Sequence, residues 1–218
     1  PSVPALFTED QLKEFLLLAD NIPCHYQSPN REVIFPVLFR ILYCCGLRAS
    51  EACLLLVENV NLDAGTLEIY HSKGYKDRIV YMGEDIRQLC LNFHRYYDSV
   101  LPGRKYFFQP SLEKEHYTKT DVDNAFGRIR AKMVSCPKKG KLPSAHGLRH
   151  LFAVENVKMC LEQGEDFNNW AQYLAQYMGH RKLRDTMYYI HMTSRLFPSY
   201  EEKLDRLAEG IGVKYAEE

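Results

Sequence analysis

Ala145-His146-Gly147-Leu148-Arg149-His150 is the stretch on which the chain turns. Pro143-Ser144 just ahead of it is a helix-start signal, and the helix this predicts runs to about Gln163 and stops at Gly164. His146, Arg149 and His150 then stand at i, i+3 and i+4, so all three can share one face. The first turns of a helix already favour an anion. Arginine clamps phosphate oxygens with a planar, permanently charged fork, and histidine moves a proton near neutral pH. The bland alternative is a satisfied polar cluster at a helix start. About thirty residues further on come Met178-Gly179-His180 and then Tyr188-Tyr189-Ile190-His191. Tyrosine can act as a covalent nucleophile.

Working outward, 218 residues suit one large domain, or one domain with a small appendage. With 46% hydrophobic residues a sizeable core is possible. No apolar run reaches the ~18 residues of a membrane span. Pro1-Ser2-Val3-Pro4 has neither the basic nor the apolar region of a signal peptide. The seven cysteines are odd in number and none has CxxC spacing, which predicts reduced core thiols in a cytoplasmic protein rather than a zinc site. Formal net charge is zero, mildly against a nucleic-acid partner. The distribution says more. Arg128, Arg130, Lys132, Lys138, Lys139 and Lys141 fall in one stretch without an acidic residue, while the tail after Ser199 leans acidic. A basic stripe and an acidic tail cancel in the sum and still offer DNA a positive face.

Taken in order, Thr8-Glu9-Asp10-Gln11 reads as a capping box opening a helix over 8–20. Residues 33–45 predict a buried helix, with Pro36 in its first turn and Gly46 just past its end. A new helix begins near Ala49-Ser50-Glu51, which puts Arg48 at a corner. A guanidinium beside a buried helix is costly without a partner, and Glu51 can hold it. A purely structural Arg48–Glu51 pair is the competing reading. From Val60 to Met82 the period changes to that of strands, predicting a small antiparallel sheet of two or three strands. Lys73 and Lys76 fall in its second turn, where a lysine is ordinarily a solvated edge guard. Helices follow over 84–99, from Thr120 or Asp121 to about Val134, over 169–178, over 184–192, and over 200–208 after a Pro198-Ser199 cap. The fold class is α+β, mainly helical.

At this point the sequence resembles the tyrosine recombinases, the phage-integrase family. Gly46-Leu47-Arg48-Ala49-Ser50-Glu51 looks like the family's first arginine box, and Ser72-Lys73-Gly74-Tyr75-Lys76-Asp77-Arg78-Ile79-Val80 is similar to its lysine hairpin. His146-Gly147-Leu148-Arg149-His150 matches the His-x-x-Arg box, and Met178-Gly179-His180 with Tyr189 nine residues on matches the terminal box. Each is weak alone; four in order are specific. The departures are Met178 where leucine is usual, Leu151 where threonine or serine is common, a more polar 153–156, and a longer acidic loop before the terminal box. They point toward a divergent branch resembling mobile-element integrases.

The resemblance implies the tyrosine recombinase catalytic fold over 1–218, without the N-terminal core-binding domain, and a terminal helix at 199–209 that docks in trans. It implies a catalytic set of Arg48, Lys73, His146, Arg149, His180 and Tyr189, with Glu51 and His150 orienting Arg48 and the helix. Arg48 and Arg149 would grip the scissile phosphate, Tyr189 would attack phosphorus, and His146 would take its proton. Lys73 would protonate the departing 5′-oxygen, and His180 would donate to a phosphate oxygen. Lys76, Arg128, Arg130, Lys132, Lys138, Lys139 and Lys141 would contact DNA. No metal or other cofactor is implied. The implied partners are double-stranded DNA with specific recombination sites and further copies of the chain. It would be a tetramer in the synaptic complex and a monomer without DNA, with no membrane, in a bacterial cytoplasm. A type IB topoisomerase-like enzyme and a non-catalytic DNA-binding relative are the alternatives.

Overall fold

Helix α2, Arg31–Cys44, forms the spine of the fold, and seven of its residues are buried. A computed structural model describes residues 4–70, 77–180 and 182–196. Lys73, Lys76 and the helix expected over 200–208 lie outside the described residues. The other helices among them are α1 (Glu9–Asp20), α3 (Ala49–Cys53), α4 (Glu84–Val100), α5 (Lys119–Lys132), α6 (Ala145–Gln163), α7 (Phe167–Met178) and α8 (Leu183–Leu196). A three-stranded antiparallel sheet in the order β1 (Val60–Asn61), β2 (Thr66–Ile69), β3 (Arg78–Tyr81) follows α3. No described helix is long and apolar enough to cross a membrane.

Local chemistry accounts for most element ends. Thr8 and Gln11 form the expected capping box of α1. Gly164 ends α6 in the left-handed conformation, φ 68°, where a glycine escapes the Cβ clash. Several boundaries differ from the sequence reading, that of α7 among them, which begins at Phe167 rather than at 169. Helix α2 starts at Arg31, so Pro36 is interior rather than in the first turn. It leaves the Glu32 carbonyl without its usual intrahelical donor. Helix α5 is capped by Thr118, whose hydroxyl accepts from the Asp121 N–H (3.2 Å) while Asp121 accepts from the Thr118 N–H (2.8 Å). It stops at Lys132 because Met133 turns fully into the core and Lys138 Nζ bonds the Ala131 carbonyl (2.9 Å). Helix α8 extends past Met192 to Leu196.

The apolar interior comes in two clusters. The larger joins α1, α2, α4, α5, the sheet and the segment around Phe107 and Phe108. The smaller joins α7 and α8 to the second half of α6, through Val154, Val157, Leu174, Met187 and Met192 among others. Helix α6 runs through both: Leu148 and Leu151 belong to the first, Ala153 onward to the second. Its N-terminal turns therefore sit at the seam.

Candidate active site

The first site residue is delivered by the turn out of α2. Gly46 takes φ +63°, and a Cβ there would fall 2.5 Å from Cδ1 of Phe152. Only glycine fits on both counts. Leu47 then buries, and Arg48 stands as N-cap of α3. The Glu51 carboxylate accepts the Arg48 backbone N–H (2.9 Å) through one oxygen and Arg48 Nη1 (2.6 Å) through the other. Arg48 Nη2 donates to the Gly179 carbonyl (3.2 Å). The Arg48 side chain keeps about a fifth of its surface in solvent, with 21% exposed. Burial would raise the pKa of Glu51, but Arg78 and then Arg48 outweigh it, so the carboxyl is held below its ordinary range.

Arg149 is 2% exposed and is the largest fully buried side chain described. It spans the seam between the two clusters. Nη1 donates to the Gly46 carbonyl (2.6 Å) and Nη2 to the Met178 carbonyl (2.5 Å). Both acceptors are carbonyls beside glycine turns, which leave them free of helix bonding. Glu51 Oε2 is 4.0 Å from Nη1. Burial, with Arg48 nearby, lowers the Arg149 pKa to about 10, so the side chain is still a cation at neutral pH.

Three histidines and a tyrosine close the site. His180 Nε2 lies 3.4 Å from Arg149 Nη2, and arginine can only donate, so Nε2 is the unprotonated nitrogen. Nδ1–H then donates to Thr186 Oγ1 (2.7 Å). Burial, then the cations Arg149 and Arg48, depress the His180 pKa to about 4. Tyr189 is 3% exposed, and its ring stacks on that of His180 at 5.8 Å between centroids. Its hydroxyl is 3.1 Å from Nδ1 of His150. Burial raises the phenol pKa against the pull of Arg149. Burial, with His146 and Arg149, lowers that of His150 to about 3. The phenol therefore keeps its proton and His150 is neutral; in the tautomer that leaves Nδ1 bare, His150 accepts the hydrogen bond from the phenol. His146 is exposed and meets His150 edge-on, 4.4 Å between ring centroids. Lost hydration at its inner edge, with Arg149 and Arg48, lowers its pKa also.

Arg48, Glu51, His146, Arg149, His150, His180 and Tyr189 are thus brought together from three helices, α3, α6 and α8, and the turns that follow α2 and α7. Two features differ from the sequence reading. The histidine on the Tyr189 hydroxyl is His150, not His146. A third arginine, Arg78 of β3, also bonds Glu51. Arg78 escaped notice as a strand residue, yet it shares the inward face of β3 with buried Val80. A charge at an inward position was the available signal. Tyr188 is half-buried and packs against the second cluster.

The basic stripe divides. Arg130 bonds the Pro143 carbonyl and Lys138 bonds the Ala131 and Met133 carbonyls, so both staple the α5–α6 connection. Arg128, Lys132, Lys139 and Lys141 are exposed. All seven cysteines are unpaired, and five are buried.

Residues 6–195 match the family described as the phage integrase family. Over 211 residues the chain is 29% identical to the tyrosine recombinase XerA of Pyrococcus horikoshii, covering 97% of this chain and 65% of the relative. The chain thus spans about two thirds of that relative's length. A crystal structure of XerA recombinase aligns with a TM-score of 0.65 at 22% identity, over 93% of this chain and 65% of that one. The Tn1549 transposon integrase in complex with a circular intermediate DNA aligns with a TM-score of 0.64 at 18% identity, over 87% of this chain and 62% of that one. These two likenesses fix the fold, and the family match extends across the whole described site. The chain belongs to the phage integrase family, that of the tyrosine recombinases.

Proposed function

We propose that this chain is the catalytic portion of a site-specific DNA recombinase that cleaves and rejoins strands through a 3′-phosphotyrosine. The observation that carries this reading is the convergence of a buried tyrosine hydroxyl, a histidine acceptor and two arginines at one seam. A scissile phosphate placed between Arg48 and Arg149 meets two cations already fixed by backbone carbonyls and Glu51. Such preorganised donors stabilise charge developing at phosphorus without reorganisation. Tyr189 Oη attacks phosphorus and passes its proton to His150 Nδ1. The P–O5′ bond breaks, and Lys73 supplies the proton that the 5′-oxygen needs. Attack by a 5′-hydroxyl of another duplex reverses these steps on a new strand. No ATP enters, because the phosphotyrosine conserves the bond.

The depressed histidine pKa values fit this order. A neutral His150 is able to accept, and an arriving phosphate anion raises the pKa of its neighbours. His180 gains a proton at Nε2 in the same way and becomes a donor to a phosphate oxygen. Exposed Arg128, Lys132, Lys139 and Lys141 supply backbone contacts to DNA. Integration and excision of a mobile element is the finer reading, suggested by the sequence departures at Leu151, 153–156 and Met178. Synapsis through a tetramer belongs to that reading, with the terminal helix docking in trans. Incubating the protein with nicked duplexes from the flanks of its source element, then running denaturing gels, tests the proposal. A DNA adduct that survives denaturant but not protease is expected. Its absence on every flank tested, with DNA bound, would favour the non-catalytic relative. Relaxation of supercoiled DNA without strand exchange would favour the topoisomerase.

A further inference from the structure

Glu51 is 4% exposed at its side chain and carries four hydrogen bonds, two from Arg48 and two from Arg78. Arg78 approaches with both terminal nitrogens: Nη1 to Oε1 (3.1 Å) and Nη2 to Oε2 (2.7 Å). Its third donor, Nε, reaches the Tyr177 carbonyl at the end of α7 (2.7 Å). The side chain is 5% exposed, and all three of its nitrogens are engaged by protein oxygens. Gly179 makes room for it, since a Cβ there would lie 3.1 Å from Arg78 Nη1. One side chain therefore ties together three segments: the Arg48–Glu51 corner, the end of α7 leading to His180, and the first residue of β3.

We infer that Arg78 is a positioning residue of the active site, one that holds the Glu51 carboxylate, and through it Arg48, in the geometry needed to grip a phosphate. This rests on the strand-cleavage reading above. Glu51 alone could rotate about its side-chain bonds and follow Arg48 wherever it moved. A bidentate fork from the opposite side fixes the carboxylate plane, and the Tyr177 carbonyl fixes the fork. Arg48 then inherits one orientation, set by a strand that Lys73 precedes by five residues in sequence. Charge points the same way. Arg48, Arg78 and Arg149 against Glu51, with neutral histidines, leave a surplus of positive charge where a pentavalent phosphorus would gain negative charge.

The test is single-turnover cleavage at saturating nicked DNA by the wild type, Arg78→Lys, Arg78→Gln and Glu51→Gln. DNA affinity and thermal melting are measured alongside. Lysine keeps the charge and one bond but loses the fork, so Arg78→Lys is expected to fold, bind DNA as the wild type does, and cleave on the order of 10²-fold more slowly. A second substrate carries a methylphosphonate at the scissile position, which removes the charge on one non-bridging oxygen. A misaimed Arg48 matters less there, so the deficit of Arg78→Lys relative to wild type should shrink by at least about tenfold. Arg78→Lys with Glu51→Gln should be scarcely slower than the worse single variant, because both break one linkage. Wild-type cleavage by Arg78→Lys, or an equal deficit on both substrates, overturns the inference and leaves the cleavage reading intact. No adduct from the wild type itself overturns both.

Discussion

At the scale of single residues the site is a set of side chains whose freedom has been removed. Tyr189 lies against His180 with its hydroxyl within hydrogen-bond reach of His150. His146, one turn earlier on α6, touches His150 and faces solvent, where a phosphate would arrive. This separates two roles that the sequence places on one helical face. His150→Gln should slow formation of the covalent adduct by about 10²–10⁴-fold, the span of general-base catalysis. His146→Gln should mainly weaken the grip on the phosphate. Single-turnover rates against pH distinguish them, since loss of the proton acceptor leaves a rate that climbs with pH as the phenol ionises unaided. A larger loss in His146→Gln, with that pH signature, would return the base to His146.

At the scale of elements, the corner between α2 and α3 does the most positioning for its length. Gly46 turns the chain, makes room for Phe152, and offers its carbonyl to Arg149. Gly46→Ala must both hold a left-handed backbone with a Cβ and displace an aromatic ring. It should cost about 2–4 kcal/mol of stability by denaturant unfolding. It should also slow cleavage, because the acceptor of Arg149 moves with the turn. A variant as stable as the wild type would show that the corner relaxes freely. Much of this was legible beforehand: the glycine after an apolar helix, the Arg48–Glu51 pairing, and the shared face of His146, Arg149 and His150 follow from helical periodicity and capping rules. The acceptors of Arg149 were not. Gly46 and Met178 contribute backbone oxygens, which any residue type provides, so no pattern of side chains marks them. Pro36 misled for a related reason, because tertiary burial of α2 outweighs the local penalty of an interior proline. Thr118 was missed because a second threonine, Thr120, stands equally near the helix start.

At the scale of the whole molecule, two apolar clusters meet at a polar seam, and that seam is the site. Its histidines make the fold sensitive to acid. The pKa of His150 is about 3 and that of His180 about 4 in the folded protein, against an unfolded value near 6.5. The unfolded chain thus binds more protons between those limits, and stability rises with pH across them. Both histidines contribute fully above about pH 6.5, and the contribution drains away as pH falls toward 4. Melting temperature should fall over that window, and His150→Gln with His180→Gln should flatten the slope. A profile flat from pH 7 to 4 in the wild type would contradict the burial assigned to these rings. The seam also explains how the active set is assembled from distant sequence. Arg149 lies on α6, whose buried residues belong to both clusters, and its two carbonyl bonds join the α2 corner to the end of α7.

The proposed mechanism joins Tyr189, and not the adjacent Tyr188, to DNA. Trapping the adduct on a nicked duplex, digesting it, and locating the phosphonucleotide by mass spectrometry tests that claim directly. The modification is expected on Tyr189, with its loss in Tyr189→Phe and its survival in Tyr188→Phe. Modification of Tyr188, or an adduct that persists in Tyr189→Phe, would contradict it.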